Sequence, residues 1–222
     1  MMKRILSTTA VAAIAGLSFC AMLLAQPPAG GAPGGAKGGG GKGGGRGPAG
    51  PAFTVTSSAW ADGGEVPMHH AGRGDNKSPA FEFHWMMGTM PAMAPDTLKS
   101  YAVIFHDIEN SSNKTTVDTL HWSAFNIPGT ATGLPEGLGA GTLPDGTVNG
   151  PGINARGGAP GSYFGPGAGV GPFHHYVFEF YALDTKLDLP ATPTPSREDL
   201  IKAMDGHVIG KAAYVGRFHA TQ

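Results

Sequence analysis

The chain of 222 residues has one cysteine, Cys20, and few charged residues, and each scarcity excludes a class of protein. A single cysteine cannot form an intramolecular disulfide, so a disulfide-stapled scaffold is excluded. Charged residues make up 14% of the chain and the formal net charge is −1, which gives no support to nucleic-acid binding. The apolar run from Ala10 to Leu24 is shorter than the roughly 20 residues that a membrane-spanning helix needs. Stability must therefore come from a hydrophobic core.

Residues 1–25 have the pattern of a secretory signal peptide. Two basic residues, Lys3 and Arg4, precede the apolar run, and Ala25 supplies a small residue at a plausible cleavage point. A bulky phenylalanine precedes Cys20 where a lipidation motif requires a small residue, which argues against a lipid anchor. We therefore expect cleavage of the signal, a periplasmic or secreted protein, and no stable membrane insertion afterwards.

The remaining chain divides by composition into a linker and one domain. Residues 26–50 are nearly all glycine, proline and alanine, which predicts a flexible linker without a core. Residues 51–222 are long enough to form a single domain with a sizeable core.

Within that domain, period-two alternation and short apolar runs predict six strands. They are Phe53–Ser57, Phe81–Trp85, Tyr101–Phe105, Trp122–Ile127, Tyr176–Leu183 and Ala212–Phe218. One helix is predicted over Ser196–Met204, with Ser196 as its N-cap and Gly206 as its stop. Many short strands with one late helix predict a mainly β sandwich.

Polar residues lie where three of these strands begin or end. Asp107 and Glu109 follow the Tyr101–Phe105 strand, while His121 and His174 directly precede two others. If the three strands are neighbours with these ends together, the carboxylates and imidazoles converge beside the glycine-rich loop 161–173. Consecutive backbone N–H groups in such a loop can form an anion-binding concavity.

This set of groups predicts a site for a phosphate-like anion. His121 and His174 can donate from their ring nitrogens, and the loop can donate from its amides. The carboxylates would hold the rings in one tautomer and raise the histidine pKa values, so binding would strengthen as the pH falls.

Three alternatives remain open at this stage. The first is structural: Asp107 and Glu109 would cap a strand end, and His121 would be a satisfied, half-buried histidine. The second is a metal site built from His121, His174 and one carboxylate. No recognised metal-binding histidine spacing and no cysteine ligand supports it, so we expect no metal and no cofactor; His69 and His70 are taken as structural or solvated. The third is a small hydrolase.

The hydrolase alternative would use the same histidine–carboxylate groups to activate water or a serine such as Ser162. The surrounding Pro160–Phe164 segment does not match the G-x-S-x-G elbow, so we expect no catalytic residue.

Seven motifs follow one another within residues 53–219. They are Asp62–Pro67, Gly74–Pro79 with Trp85, His121–Pro128, Tyr163–Pro166, His174-x-Tyr176, Tyr181–Asp184 with Leu187–Leu189, and Ala203–His207. In this order they resemble the phosphatidylethanolamine-binding protein family, in its bacterial branch described as Raf-kinase-inhibitor-like.

The resemblance implies a two-sheet antiparallel β-sandwich with a small anion pocket at one end. It implies ligand-binding roles for the residues that match the family's motifs, namely Asp107, Glu109, His121, Tyr163, Gly165 and His174. Asp107 or Glu109 would alternatively bind the ammonium of a phosphoethanolamine-like headgroup. The implied function is non-enzymatic binding of a small anionic or phosphorylated ligand, or presentation of that surface to a protein partner such as a protease or kinase.

Several positions depart from the family pattern. The segment Asp107-Ile-Glu109-Asn corresponds to the family's D-P-D-A-P motif, with Glu109 in place of the second aspartate and neither proline present. His175 replaces the arginine of the family's H-R-Y motif. Gly167–Val170 replaces a proline- and cysteine-containing turn, and a glycine-rich insertion, Leu134–Gly161, precedes the loop. These departures bear on the size and ligand preference of the pocket.

Overall fold

The computed structural model describes residues 50–111 and 114–221. The predicted signal peptide and the predicted linker up to residue 49 lie outside the described residues. No helix in the described ranges is long and apolar enough to cross a membrane.

The described ranges form ten strands, one α-helix and two short 3₁₀ helices. The strands are β1 (Ala52–Thr56), β2 (Gly64–Glu65), β3 (Phe81–Met87), β4 (Met90–Pro91), β5 (Ser100–Ser111), β6 (Asp118–Pro128), β7 (Gly133–Leu134), β8 (Val148–Asn149), β9 (His174–Leu183) and β10 (Val208–Phe218). The α-helix α1 is Arg197–Met204, and the 3₁₀ helices are Met68–His70 and Ile153–Gly158. All six predicted strands and the predicted helix are confirmed.

The strands form two sheets. In the smaller sheet β3 lies between β1 and β4 and also pairs with β7. The larger sheet has the order β2-β10-β9-β5-β6-β8. All pairings between these ten strands are antiparallel except that of the two-residue strand β2 with β10, which is parallel. The predicted two-sheet sandwich is confirmed, with this one short departure.

Aromatic side chains fill the space between the sheets. Phe81 of the smaller sheet contacts Phe178 and Phe180 of β9, with ring centroids 5.0 and 4.8 Å apart. Phe105 of β5 stacks on Phe178 at 3.9 Å. Because successive side chains of a strand point to opposite faces, the other face of the larger sheet carries a second cluster. There Ile104 belongs to an apolar group with Leu200 and Met204, among others.

Helix α1 begins at a capping box. The Ser196 hydroxyl accepts a hydrogen bond from the Asp199 backbone N–H at 3.0 Å, and the Asp199 carboxylate accepts from the Ser196 N–H at 3.0 Å. These two bonds satisfy helix-end donors that would otherwise lack partners. The predicted N-cap is thus confirmed.

Three central strands place the predicted site at one end of the sandwich. β5 ends where β6 and β9 begin, because both pairings are antiparallel. Asp107 is opposite Thr119 on β6 and Tyr176 on β9. The three strands are therefore neighbours with these ends together, as the sequence prediction required.

Candidate functional site

A cavity of about 320 Å³ opens at this end of the sandwich. We call it the histidine cavity, and its walls combine strand ends with the glycine-rich loop. They are formed by Asp107, Asn110, Thr119, His121, Ile153, Phe164, Gly167, Ala168, Gly169, His174 and Tyr176.

Asp107 is buried beneath the cavity and holds several groups at once. Its Oδ1 accepts hydrogen bonds from the backbone N–H groups of Glu109 and Asn110, both at 3.1 Å. Its Oδ2 accepts from His174 Nδ1 at 2.8 Å. The residue is 2% exposed, and its oxygens are occupied by protein donors. Asp107 therefore positions His174.

His174 is the partner that faces the cavity. Because the carboxylate can only accept, Nδ1 of the ring must carry the proton in this hydrogen bond. The side chain is 31% exposed and lines the cavity. The predicted fixing of one tautomer by a carboxylate is confirmed here, and it leaves Nε2 as the polar atom available to a ligand.

His121 is more deeply buried and is satisfied on one side. Its Nδ1 donates to the carbonyl oxygens of Phe164 at 3.0 Å and Gly165 at 3.2 Å. Burial lowers the pKa of His121, although these hydrogen bonds and the charge of Asp107 act in the opposite direction. The expectation of a raised pKa and a cationic His121 ring is therefore wrong, because the loss of hydration outweighs the charge of Asp107. A neutral ring with a protonated Nδ1 offers Nε2 as an acceptor.

The amides of the glycine-rich loop bind the protein itself. Gly165 N–H donates to Asn76 Oδ1 at 2.8 Å, and the N–H groups of Gly167 and Ala168 donate to the Tyr176 hydroxyl at 3.2 and 3.0 Å. The prediction that these amides bind an anion is wrong for all three. Burial, together with the charge of Asp107, raises the pKa of Tyr176, so its hydroxyl stays protonated.

Three predicted site residues lie outside the cavity wall: Tyr163 and Gly165, which hold the loop, and Glu109, which is described below. Tyr163 is buried behind it, where its hydroxyl donates to the His70 carbonyl at 2.8 Å and its ring stacks on Phe105. Gly165 lies so close to the backbone of His70 that a Cβ atom would collide with its carbonyl oxygen, which explains the glycine. Both residues hold the loop and do not face the cavity.

Glu109 lies at the rim and pairs with the neighbouring histidine. Its two carboxylate oxygens accept from His175 N–H and His175 Nδ1, both at 2.7 Å. Partial burial would raise the pKa of Glu109, but the hydrogen bonds from His175 outweigh it and hold the pKa below its ordinary value. The structure thus brings together Asp107, His121 and His174 and places Glu109 beside them.

Some residues of the cavity wall were not predicted from the sequence. Tyr176 follows His174 by two positions in an alternating strand, so the strand period alone places both on one face. Ile153 comes from the glycine-rich insertion, whose 3₁₀ helix Ile153–Gly158 contributes to the wall. No local pattern marks Ile153, because its position depends on the path of the insertion.

Two other cavities in the described ranges have different walls. A larger one of about 570 Å³ lies beside α1, but prolines and aliphatic residues form most of its wall and its ionic groups are Asp199 and Lys202. Ser162, the candidate nucleophile, lines a separate cavity of about 210 Å³ together with Tyr163. The serine is therefore not among the residues that face His174.

Comparison with known proteins agrees with the fold. The family model for phosphatidylethanolamine-binding proteins matches residues 56–219. A UPF0098 protein of Methanothermobacter thermautotrophicus is 38% identical over 167 residues, which cover 75% of this chain and 98% of the relative.

Two solved structures share the architecture. A phosphatidylethanolamine-binding protein homologue from Chlamydia trachomatis is similar with a TM-score of 0.61 and 26% identity, over 76% of this chain and 98% of that one. Escherichia coli YbcL is similar in fold, with a TM-score of 0.59 and 24% identity over 76% of this chain and 99% of that one. The chain therefore belongs to the phosphatidylethanolamine-binding protein family, in its bacterial branch.

Proposed function

We propose that the protein is exported and binds a small phosphate-like anion in the histidine cavity without chemical turnover. The observation that carries this proposal is the His174–Asp107 pair. A buried carboxylate fixes the ring at Nδ1, so that protonation at Nε2 creates a positively charged donor at the cavity wall.

The second histidine gives the cavity a complementary group. Neutral His121 offers an acceptor at Nε2, whereas protonated His174 offers a donor. A phosphate monoester with one remaining P–OH carries both an acceptor oxygen and a donor, so it matches the two rings. Phosphates of this kind lose their second proton at about pH 6. The ligand carries this P–OH group at and below about that pH, so the proposed complex strengthens as the pH falls toward it.

Calorimetric titration of the full chain tests this proposal. Phosphate and phosphoethanolamine are titrated at about pH 6 and about pH 8, which lie on either side of the ordinary histidine pKa. We expect tighter binding at the lower pH and loss of binding in His174→Ala. His175→Ala is the matched control, because this neighbour pairs with Glu109 outside the cavity wall. Equal binding by wild type and His174→Ala would contradict the proposal.

The phosphoethanolamine arm separates two ligand chemistries. If the headgroup ammonium adds affinity, phosphoethanolamine should bind more tightly than phosphate. Because the oxygens of Asp107 are occupied by protein donors, we expect the two ligands to bind within about threefold of each other.

Absence of turnover is part of the proposal. A histidine–carboxylate pair can activate water, so a hydrolase is the alternative function for the same cavity. Incubation with chromogenic carboxylic and phosphoric esters should yield no product above a buffer control. Product formation that is lost in His174→Ala would replace binding by hydrolysis.

Export and a protein partner remain predictions of the same proposal. Fractionation of cells that express the full chain should place the protein in the periplasm or medium, and a cytoplasmic protein would contradict export. A protease or kinase held through the cavity would be released by Asp107→Ala. A complex that survives this substitution would instead use another surface.

A further inference from the structure

A second group of histidines lies outside the histidine cavity. It consists of His69 and His70, from the 3₁₀ helix Met68–His70, and Glu136, from the glycine-rich insertion. One potential ligand atom from each residue lies within 4.8 Å of the others. We call this group the histidine–glutamate cluster.

His69 is oriented by a carboxylate. Its Nδ1 donates to Asp75 Oδ2 at 2.6 Å, and its Nε2 lies 3.1 Å from Glu136 Oε1. A carboxylate on one ring nitrogen and a ligand position on the other is the usual arrangement of a metal-binding histidine.

His70 is oriented by a backbone carbonyl. Its Nδ1 donates to the Lys77 oxygen at 2.9 Å, and no described residue hydrogen-bonds its Nε2. The residue is only 4% exposed, and its ring meets that of His69 at 4.9 Å in an edge-on contact. Both rings therefore have Nδ1 bound to an oxygen, while Nε2 of His69 faces Glu136 and Nε2 of His70 is left for another partner.

Backbone hydrogen bonds hold the two parts of the cluster together. Lys77 N–H donates to the His69 carbonyl at 3.1 Å, which closes the loop that carries both histidines and Asp75. Gly137 N–H donates to the Ser78 carbonyl at 2.9 Å and fixes the segment that carries Glu136 beside this loop. The cluster is thus assembled from two segments that are already bonded to each other.

We propose that the histidine–glutamate cluster binds a divalent transition metal ion of the zinc type through His69 Nε2, His70 Nε2 and the Glu136 carboxylate. Two imidazoles and one carboxylate suit zinc and its neighbours, whereas magnesium and calcium prefer oxygen ligands alone. Asp75 and the Lys77 carbonyl act as positioning groups. Three protein ligands leave one coordination position for water or another ligand.

A protonated His69 between Asp75 and Glu136 would by itself explain two of these contacts. It would not explain why buried His70 also has a ring nitrogen within 4.8 Å of ligand atoms of His69 and Glu136. A metal ion accounts for all three residues at once. Only this second explanation predicts that the protein binds a stoichiometric amount of metal.

Titration of the full chain with Co²⁺ provides the direct test. The chelator-treated protein should bind one equivalent, with the visible absorption of a low-symmetry site, and Zn²⁺ should displace it. His69→Gln and Glu136→Gln should each weaken binding by roughly a hundredfold or more, and Asp75→Asn by about 10–100-fold. The side chains of His69 and Glu136 are 43% and 51% exposed, so both variants are expected to fold.

His207→Gln is the matched control. His207 donates from Nδ1 to Asp184 at 2.8 Å, as His69 does to Asp75, but belongs to no three-residue group among the described residues. It should leave Co²⁺ binding unchanged, as should His174→Ala.

Three results would overturn the proposal. They are no stoichiometric Co²⁺ binding by folded wild-type protein, unchanged binding in both His69→Gln and Glu136→Gln, or loss of binding in His174→Ala alone, which would move the metal to the histidine cavity. Circular dichroism of each variant distinguishes loss of ligands from loss of fold.

Discussion

Strand β5 carries two consecutive polar residues that form histidine–aspartate pairs on opposite faces of the larger sheet. Asp107 pairs with His174 on the face that also carries Phe105 and packs in the sandwich core. His106 pairs with Asp118 at 2.5 Å on the opposite face, which carries Ile104 and packs toward α1. Histidine–aspartate pairs therefore occur in two different environments, although the β5 residues that form them are adjacent in the sequence.

The pairs differ in which member is buried. In the first pair the carboxylate is 3% exposed and the ring is 31% exposed. In the second pair the ring is 10% exposed, and its carboxylate is shared with Arg197. His106 Nε2 lies 3.7 Å from Glu179 Oε2 and has no hydrogen-bond partner among the described residues. The buried carboxylate Asp107 directs its histidine to the wall of the histidine cavity, whereas the buried ring of His106 lies outside that wall.

The largest effect is expected from Asp107→Ala. The substitution leaves the backbone N–H groups of Glu109 and Asn110 and the ring of His174 without their acceptor. We expect the free energy of unfolding to fall by about 3–5 kcal/mol and phosphate binding to be lost. Urea denaturation and calorimetric titration measure the two effects.

Asp107→Asn is the control that separates folding from binding. Its amide oxygen can still accept from the two backbone N–H groups, but an amide NH₂ would face the Nδ1 proton of His174. Stability should therefore fall less than in Asp107→Ala, while binding at about pH 6 is still lost. If both variants bound phosphate with the wild-type affinity, the His174–Asp107 pair would have no role in binding and would serve only the structure.

Asp118→Ala should affect stability alone. It leaves His106 and Arg197 without their shared carboxylate in a half-buried position, which we expect to cost about 2–3 kcal/mol. Phosphate binding should be unchanged, because none of the three residues lines the histidine cavity. A tenfold loss of affinity would show that the two faces of β5 are coupled.

The fold and the centre of the site followed from local sequence patterns. Alternating apolar residues marked the strands, because one face of each is buried. Asp107, His121 and His174 converge since an antiparallel sheet brings the end of β5 beside the starts of β6 and β9.

The position of Glu109 did not follow from the same pattern. Alternation alone would place Glu109 on the face of Asp107, but the pairing of β5 with β6 shifts between Asp107 and Ser111. Such an irregularity turns side chains away from their regular face. Glu109 accordingly pairs with His175 at the rim.

Local sequence patterns also could not predict how deeply a residue is buried or which residues far apart in the sequence are in contact. The pKa of His121 is lowered because the surrounding core excludes water, and the flanking sequence does not reveal how complete that exclusion is. His69 and Glu136 are 67 positions apart, so no short spacing could indicate their contact.

The dependence of stability on pH should separate the two faces of β5. Burial alone would raise the pKa of Asp118, but hydrogen bonds from Arg197 and His106 hold it below its ordinary value of 3.8. The stabilisation is present above that value and lost as the pH falls through the lower folded pKa. The stability difference between wild type and Asp118→Asn should therefore shrink below about pH 4, by at most about 1.4 kcal/mol per pH unit.

On the cavity face of β5, the loss of stability on acidification should begin at a higher pH. The lowered pKa of His121 means that the unfolded chain takes up its proton first, so stability declines as the pH falls below the ordinary value of 6.5. His121→Gln should remove this decline, as measured by urea denaturation between about pH 7 and about pH 5. The same decline in the variant would assign it to another group.

The smallest effect is expected from Ser196→Ala, which acts on the His106–Asp118 pair through the start of α1. The capping box fixes the helix terminus immediately before Arg197, whose guanidinium donates to Asp118. Loss of the hydroxyl should lower the free energy of unfolding by about 1 kcal/mol, and Ser196→Thr should retain most of it. If the cap also orients Arg197, the losses in Ser196→Ala and Asp118→Ala will not add in the double variant, because residues of one network are coupled. Additive losses would mean that the cap stabilises only the helix, and that Arg197 reaches Asp118 without its help.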